Sequence, residues 1–407
     1  MTDLDIYVLQ DGGAVAGDAF LVDDFFLSVS GAGPTPTPAP TPTPVAGGSA
    51  LYNANSIWNK PIGANPTLHP DSAAIVAILS SYVTKIAGPS SDSAPIERIT
   101  DPNEPTADVY LGGTPYITAV PGASTVRMTY HAVPNDFTDG QMIILDIPHT
   151  RSYSFYRFDN HLSPITTVTA GWEGIGSDAD GIHVFSDSGN GWGGRATGWS
   201  YLAGKITRDE IIAGVISHAI AWASARGDMH QTLYDWPAFG TDGYSVSSPF
   251  REGMHLQLNP AVDVNALSMS AGGKAICRAL QTYGAWVADV LGDSIPPAPN
   301  EVQLQTEAFY TGTYPNVTID PSPWSGLLAE NDLANLPLDQ MRVLAVNQGD
   351  YYQNTNPPSA VTPTPVAVAP RTTDVMGTNT STSIIGQISQ VVNQLLDFLK
   401  GLIGSAR

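Results

Sequence analysis

The sequence predicts an α+β fold dominated by β-strands, with an antiparallel, sandwich-like arrangement at the centre of the main domain and about three helices. Three observations predict this class. Runs rich in β-branched and aromatic residues alternate with clusters of Gly, Pro, Asn and Asp. Three other stretches place apolar residues at helical spacing. Two Thr-Pro segments then bracket the whole region, as linkers bracket a domain.

Four runs carry the strand pattern, and they lie at residues 124–133, 140–148, 152–159 and 181–187. The segment DIPHTRS joins the second run to the third and has the composition of a hairpin turn. Neighbouring runs joined by short turns pair antiparallel, so we expect an antiparallel sheet at the centre of the domain.

Three helices are predicted. The first begins at Pro70 and Asp71 and ends before Gly88. The second begins at Thr207 with a capping box, because Glu210 stands three residues later, and it continues to about Ala225. The third spans roughly residues 273–290 and ends before Gly292.

The chain divides into five segments, and the central domain is the longest. The segments are a β-hairpin remnant at 1–32, a Thr/Pro linker at 33–46, the central domain at 47–354, a second Thr/Pro-containing linker at 355–382 and an amphipathic heptad-like helix at 383–407. The tail carries too many polar residues for a membrane span, and we expect it to dock on a partner or on a second copy. Association with a membrane surface is the alternative.

The N-terminal hairpin ends in AFLVDDFFLS, which resembles the last strand of jelly-roll carbohydrate-binding modules. The alternative is an isolated edge hairpin that packs on the main domain or on a neighbouring subunit. The first linker alternates Thr with Pro, which is typical of O-glycosylated stretches. The predicted glycosylation sites are Thr35, Thr37, Thr41 and Thr43.

The charge of the chain limits its partners. The 407 residues include 17 Lys and Arg against 38 Asp and Glu, which gives a net charge of −21. Such a protein is a poor partner for nucleic acid or an anionic membrane. We therefore expect a polysaccharide or a surface glycan as the partner, with a homo-oligomer or fibre as a further prediction. A single cysteine, Cys277, excludes an intrachain disulfide and a thiolate zinc site.

The composition suits an extracellular or cell-surface protein of a bacterium. The first nine residues, MTDLDIYVL, do not have the pattern of a signal peptide, so we expect the chain to be a fragment or to start at an internal Met. Neither a transmembrane span nor a cofactor is predicted.

Residues 172–199 predict a glycan cleft. This stretch combines Trp residues, whose faces stack on sugar rings, with acidic side chains that accept hydrogen bonds from hydroxyl groups. The predicted substrate-binding residues are Trp172, Trp192, Arg195, Trp199 and Tyr283. The alternative is that the Trp side chains belong to the core and the acidic residues lie in solvated turns.

Hydrolysis of a glycosidic bond needs two carboxyl groups, one that donates a proton and one that acts as base or nucleophile. Asp180 is the first candidate because it stands at the entry to a strand, and Glu252 and Asp242 are the others. Each of the three has a turn-forming role as its alternative. Asp178 and Asp187 could bind Ca²⁺ instead, but their loop lacks the spacing of an EF-hand.

His218 is the fourth catalytic candidate. Its spacing from Ile211, Val215 and Trp222 places it on the inward face of the second predicted helix. A buried His beside a cleft is a proton acceptor in some polysaccharide lyases, whereas the alternative is a hydrogen-bonded core residue. His183 and His255 follow turns without the local spacing of a metal pair, so no metal site is predicted.

The central domain resembles a family of secreted bacterial proteins, frequent in actinobacteria, of uncharacterised function. Four segments carry the resemblance: NSIWNKPIGANPTLHPDSAAIVAIL, GGRATGWSYLAGKITRDEIIAGVISHAIAWA, FGTDGY with REGMHLQLNPAVDVNAL, and ICRALQTYGAWVADVLGD. The resemblance implies an exported domain. It places five residues within recurring motifs, namely Arg195, His218, Asp242, Glu252 and Tyr283, and leaves the stretch between 136 and 192 outside the pattern.

The first functional hypothesis is a secreted carbohydrate-active protein, a polysaccharide hydrolase rather than a lyase. The alternative is a structural fibre or adhesin subunit, O-glycosylated on its linkers and self-assembling through the N-terminal hairpin. A peptidase or esterase that acts on cell-wall material is the third hypothesis, and it rests only on scattered Ser, His and Asp residues.

Overall fold

The computed structural model describes residues 51–91, 93–107, 109–111, 114–115, 126–127, 133–135, 139–159, 165–167, 169–176, 179–182, 185–186, 194–291, 301–311 and 317–347. These residues form three α-helices, α1 (Ser72–Leu79), α2 (Arg208–Ala213) and α3 (Ala271–Thr282). The strands in chain order are β1 (Val83–Ala87), β2 (Ile96–Ile99), β3 (Thr106–Ala107), β4 (Val109–Leu111), β5 (Thr114–Pro115), β6 (Val126–Arg127), β7 (Met142–Asp146), β8 (Arg151–Tyr156), β9 (Ile165–Thr167), β10 (Thr169–Gly174), β11 (Phe185–Ser186), β12 (Ile220–Ala225), β13 (His255–Leu258), β14 (Ala285–Leu291), β15 (Glu301–Gln305), β16 (Tyr310–Thr311), β17 (Thr318–Ile319) and β18 (Met341–Leu344).

Two sheets dominate the described part of the chain. The larger has six strands in the order β1-β15-β12-β14-β13-β18, and the smaller has five in the order β11-β10-β8-β7-β2. The larger sheet is mixed, because β1 pairs with β15 and β12 pairs with β14 in parallel. The β-dominated α+β prediction is therefore confirmed. In the smaller sheet β7, β8, β10 and β11 pair antiparallel as expected, whereas the larger sheet is mixed. A sandwich is not confirmed.

The predicted hairpin at DIPHTRS is confirmed. Strands β7 and β8 pair antiparallel. The turn between them is a short 3₁₀ helix, Ile147–His149, followed by Thr150 in the left-handed region at φ 51°. Of the other two predicted strand runs, the described parts form only the short strands β6 and β11.

Each predicted helix ends earlier than expected and is followed by a buried strand. The capping box at Thr207 is confirmed, but α2 stops at Ala213 because Gly214 adopts a left-handed conformation. The residues that follow form β12, all six of which are buried. The same correction applies to α1, followed by β1, and to α3, followed by β14. A continuous apolar run fits a buried strand as well as a buried helix.

The central strands of the larger sheet separate two apolar cores. Alternate residues of a strand face opposite sides, so Ile220 and Trp222 join the core that also contains residues of all three helices. Ala221 and Trp286 face the other side and pack in an aromatic core. The aromatic core also contains Tyr52, Trp58 and Trp199, and the candidate functional residues lie next to it.

The predictions for the chain ends lie outside the described residues. They concern the hairpin, both Thr-Pro segments, the four glycosylation sites and the C-terminal helix. Within the described ranges, no helix has the length and apolar character needed to cross a membrane.

Candidate functional site

Three carboxylates from distant parts of the chain meet at one place. Asp242, Glu252 and Asp289 each offer an oxygen, and these oxygens lie within 4.8 Å of one another. We call these three residues the acidic cluster. The structure thus brings together two of the predicted catalytic residues and adds Asp289, which the sequence did not single out.

Backbone contacts fix Glu252 beside β14. The Gly253 N–H donates to the carbonyl of Val287 over 2.8 Å, and the Asp235 N–H donates to the carbonyl of Glu252 over 2.8 Å. Gly253 has φ +89°, and a Cβ there would overlap the carbonyl oxygen of Asp235. Glycine is therefore required next to Glu252. The Glu252 carboxylate in turn accepts the N–H of Asp242 over 3.0 Å and so holds the loop that carries Asp242.

A β-bulge directs Asp289 toward the cluster. Trp222 pairs with Val287, whereas the next residue, Ala223, pairs with Asp289, so Ala288 is an extra residue in β14. In a regular strand Asp289 would share the face of Val287, which packs in the helix-covered core. The inserted residue, Ala288, reverses this alternation, so the Asp289 side chain points away from that core and toward the acidic cluster.

Burial and mutual repulsion disfavour charge in the acidic cluster. Glu252 is fully buried, and burial followed by the charge of Asp242 raises the pKa of Glu252 well above its ordinary value. The same two causes raise the pKa of Asp289 to about 7. Near neutral pH, with no cation bound, the cluster therefore holds at least one proton.

Arg195 lies between the acidic cluster and a second carboxyl group. Its terminal nitrogens donate to the carbonyls of Ala203 and Tyr201 and to Oε1 of Gln305, at 3.0, 3.1 and 2.7 Å. Its Nε is 3.9 Å from Oδ2 of Asp289. The guanidinium also interacts electrostatically with Glu173. The prediction that Arg195 contacts substrate is wrong for this conformation, because the side chain is buried and its polar contacts are to the protein.

Glu173, on β10, is the second carboxyl group. Tyr52 donates a hydrogen bond to Oε1 of Glu173 over 2.8 Å, and both residues are buried. Burial raises the pKa of Glu173 to about 7, although hydrogen bonds from Ser200 and Tyr52 act in the opposite direction. The nearby charge of Asp180 adds to the rise.

Asp180 lies beside Glu173 in a half-buried loop. Its Oδ1 accepts the N–H of Ile182 over 2.9 Å. Its backbone carbonyl accepts the hydroxyl of Ser56 over 2.6 Å, which ties the loop to the N-terminal part of the domain. Among the predicted catalytic residues, Asp180 thus belongs with Glu173, and Asp242 and Glu252 belong to the acidic cluster.

The predicted aromatic platform is only partly present. Trp199 is fully buried, makes edge contacts with Trp58 and Trp286 and donates its indole N–H to the carbonyl of Pro237. The prediction that Trp199 stacks on a sugar is therefore wrong. Trp172 is half-buried, with the Arg151 guanidinium 5.4 Å from its ring centroid, and Trp192 lies outside the described residues.

His218 is held by protein contacts at both ring nitrogens. The prediction that it lies on α2 is wrong, because the helix ends at Ala213. Its Nε2 is 2.9 Å from Oε1 of Glu210, and its Nδ1 is 2.8 Å from the carbonyl oxygen of Ala219. Burial alone would lower the pKa of His218, but the charge of Glu210 raises it. The catalytic role of His218 stays a prediction from sequence.

Tyr283 ends α3, and its carbonyl oxygen lies 2.8 Å from Nε2 of His255. The His255 ring stacks on Trp286 with the centroids 4.0 Å apart. Because His255 is buried, its pKa falls to about 4. Tyr283 thus takes part in a packing contact through its backbone, while its side chain is half-buried.

Acid is expected to destabilise the protein through His255. The unfolded chain binds a proton near the ordinary pKa of 6.5, and the folded chain does so only near pH 4, so stability falls as the pH drops between these values. We expect a loss of about 2–3 kcal/mol from this residue. Urea unfolding of the wild type and of His255→Gln, each at pH 7 and pH 4.5, measures this loss as the difference between the two pH dependences. Equal pH dependences in the two proteins would contradict the assignment.

Asp289 and Tyr52 received no functional prediction from sequence, and Glu173 was considered only as part of the Trp-rich stretch. One signal for Asp289 was present, since an acidic residue follows the apolar run AWVA directly. Its proximity to Asp242 depends on the bulge in β14, which no local pattern indicated.

Comparison with protein-family models, with curated proteins and with solved structures finds no match to this chain. The resemblance to secreted bacterial proteins therefore stays a prediction from sequence.

Proposed function

We propose that the protein is a secreted polysaccharide hydrolase in which Glu173 donates the proton and Asp180 is the partner carboxylate. One observation carries the proposal: two neighbouring carboxyl groups have different surroundings, with Glu173 buried and hydrogen-bonded to Tyr52 and Asp180 half-buried in a loop. Pairs of carboxyl groups held in unlike environments are typical of acid and base assignments.

The proton donor of a glycosidase must be neutral when substrate binds. A pKa of about 7 keeps Glu173 about half protonated in neutral solution and largely protonated in mildly acidic solution. Because Glu173 is buried in this conformation, the proposal requires the loop that carries Asp180 to move and admit the substrate. Glu173 then transfers its proton to the glycosidic oxygen as the bond from that oxygen to the anomeric carbon breaks. Asp180 serves as base for the attacking water or as nucleophile, and the anomeric configuration of the first product decides between these two.

The substrate class follows from the charge of the chain. A net charge of −21 disfavours polyanions, so we propose a polysaccharide without acidic groups. Trp172 precedes Glu173 on β10, so its half-buried ring lies on the opposite face of the sheet, where it packs against another core. The proposal of an extracellular location rests on the Thr-Pro segments and on the composition of the chain.

A release assay tests the proposed activity. The full chain is incubated with a panel of neutral polysaccharides, and new reducing ends and bound polysaccharide are both measured. We expect release from at least one member of the panel, with a single anomer formed first. Binding without release across the panel would contradict hydrolysis and favour a structural glycan-binding protein.

A further inference from the structure

The spacing within the acidic cluster matches the ligand shell of a large, hard cation. Oxygen ligands lie about 2.3–2.6 Å from Ca²⁺, so two ligands at right angles are about 3.5 Å apart and two on opposite sides are about 5 Å apart. The oxygens offered by Asp242, Glu252 and Asp289 lie within 4.8 Å of one another. We propose that these three carboxylates bind a calcium ion.

A second observation points to a ligand at the same place. Glu252 is fully buried, and its Oε1 has no hydrogen-bond partner among the described residues. The hydroxyl of Thr241 lies near the Glu252 carboxylate, but it donates to the carbonyl of His230 over 3.1 Å. Buried carboxylate oxygens are nearly always paired, hydrogen-bonded or bound to metal, because leaving one without a partner is costly. A cation between the three side chains satisfies this oxygen.

Two arginines lie near the cluster. Arg195 approaches Asp289, and its terminal nitrogens donate to Ala203, Tyr201 and Gln305. Arg226 donates through Nε to the backbone oxygen of Asp242 over 2.7 Å. None of these contacts provides a hydrogen bond to Oε1 of Glu252.

The donor set selects the class of metal. All three side chains offer carboxylate oxygen, which suits Ca²⁺ and Mg²⁺ better than zinc, whose sites take most of their ligands from His and Cys. Ca²⁺ accepts six to eight ligands at longer distances, whereas Mg²⁺ requires near-octahedral geometry at about 2.0–2.1 Å. We therefore expect Ca²⁺ to bind more tightly than Mg²⁺. The ion would join the loop that carries Asp242 to the end of β14.

This inference gives Asp242 and Glu252 the role of ligands in place of the catalytic role predicted from sequence. It goes beyond the proposed hydrolase and does not depend on it, because neither Glu173 nor Asp180 is a ligand. Local sequence spacing gives no sign of such a site, since Asp289 reaches the cluster only through the sheet.

Calorimetric titration with CaCl₂ tests the site in the full chain after treatment with a chelator and dialysis. We expect one ion per chain, a dissociation constant of about 10⁻⁴–10⁻³ M as in extracellular calcium modules, and weaker binding of MgCl₂. Added Ca²⁺ should also raise the midpoint of thermal unfolding, because it binds the folded state.

Variants locate the ion. Asp289→Asn and Asp242→Asn, both at half-buried positions, should each weaken Ca²⁺ binding about tenfold or more, since each removes a charged ligand. Asp339→Asn, at an exposed position, should bind Ca²⁺ as tightly as the wild type does, and so should Glu173→Gln. The proposal would be overturned if the folded wild type bound no Ca²⁺ at a CaCl₂ concentration of about 10⁻² M. Unchanged binding in both Asp289→Asn and Asp242→Asn would overturn it as well.

Discussion

Glu173→Gln is expected to lower kcat by about 10²–10⁴-fold, which is the usual contribution of a positioned general acid. The amide has nearly the shape of the carboxyl group and can still accept the Tyr52 hydrogen bond, but it has no proton of suitable pKa to give to the glycosidic oxygen. Asp180→Asn should produce a loss of the same order, because it removes the carboxylate that activates the water or attacks the anomeric carbon. Reducing-end release on the best substrate of the panel measures both.

Asp339→Asn is the matched control for these variants, since Asp339 is exposed and lies in a short 3₁₀ turn far along the chain from both carboxyl groups. It should keep the activity of the wild type. Circular dichroism and the thermal midpoint check that Glu173→Gln is folded. A folded Glu173→Gln protein with more than about a tenth of wild-type activity would remove Glu173 from the role of proton donor.

Arg195→Met is expected to lower the free energy of unfolding by about 3–5 kcal/mol, which is the typical cost of removing one partner from a buried charged group. The substitution leaves the carbonyls of Ala203 and Tyr201 without their donor. It also removes the positive charge that favours the ionised forms of Asp289 and Glu173. Urea unfolding at pH 7 measures the loss, which should be smaller at pH 5 because both carboxyl groups are then protonated.

Arg278→Met provides the control for Arg195→Met. Arg278 is exposed on α3 and donates one hydrogen bond to Oδ1 of Asn265 over 2.8 Å. Its replacement should change stability by no more than about 0.5 kcal/mol, as most surface substitutions do. Equal losses for the two variants would contradict the expected contribution of the buried Arg195 guanidinium to stability.

The sequence predicted helix starts well and helix ends poorly. Thr207 and Glu210 form a capping box that depends only on neighbouring residues, and the structure contains it. The end of α2 depends on Gly214, after which Ile220–Ala225 is buried on both faces as a central strand. A strand that is buried on both faces does not alternate polar with apolar residues. Its sequence therefore reads as a continuation of the apolar helix that precedes it.

Site residues could be predicted where neighbouring residues in the sequence mark them. They could not be predicted where the pairing of distant strands brings them together. The sequence makes Glu252 a candidate because it stands directly before a strand, and Asp242 because it lies in the turn GTDGY, and the structure brings the two together. Asp289 was missed because a bulge in the sheet directs its side chain. His218 was misplaced because the helix assumed for it ends at Ala213, five residues earlier.

The pH dependence of kcat/KM tests the central claim most directly, because it reports the pKa of the essential acid in the free enzyme. We predict a decline on the alkaline side with a midpoint near pH 7, from the raised pKa of Glu173. The Tyr52 hydrogen bond favours the ionised carboxylate, so Tyr52→Phe should move this midpoint to higher pH. A rate that stays constant through pH 9, or a midpoint that Tyr52→Phe leaves in place, would contradict the assignment of Glu173 as proton donor.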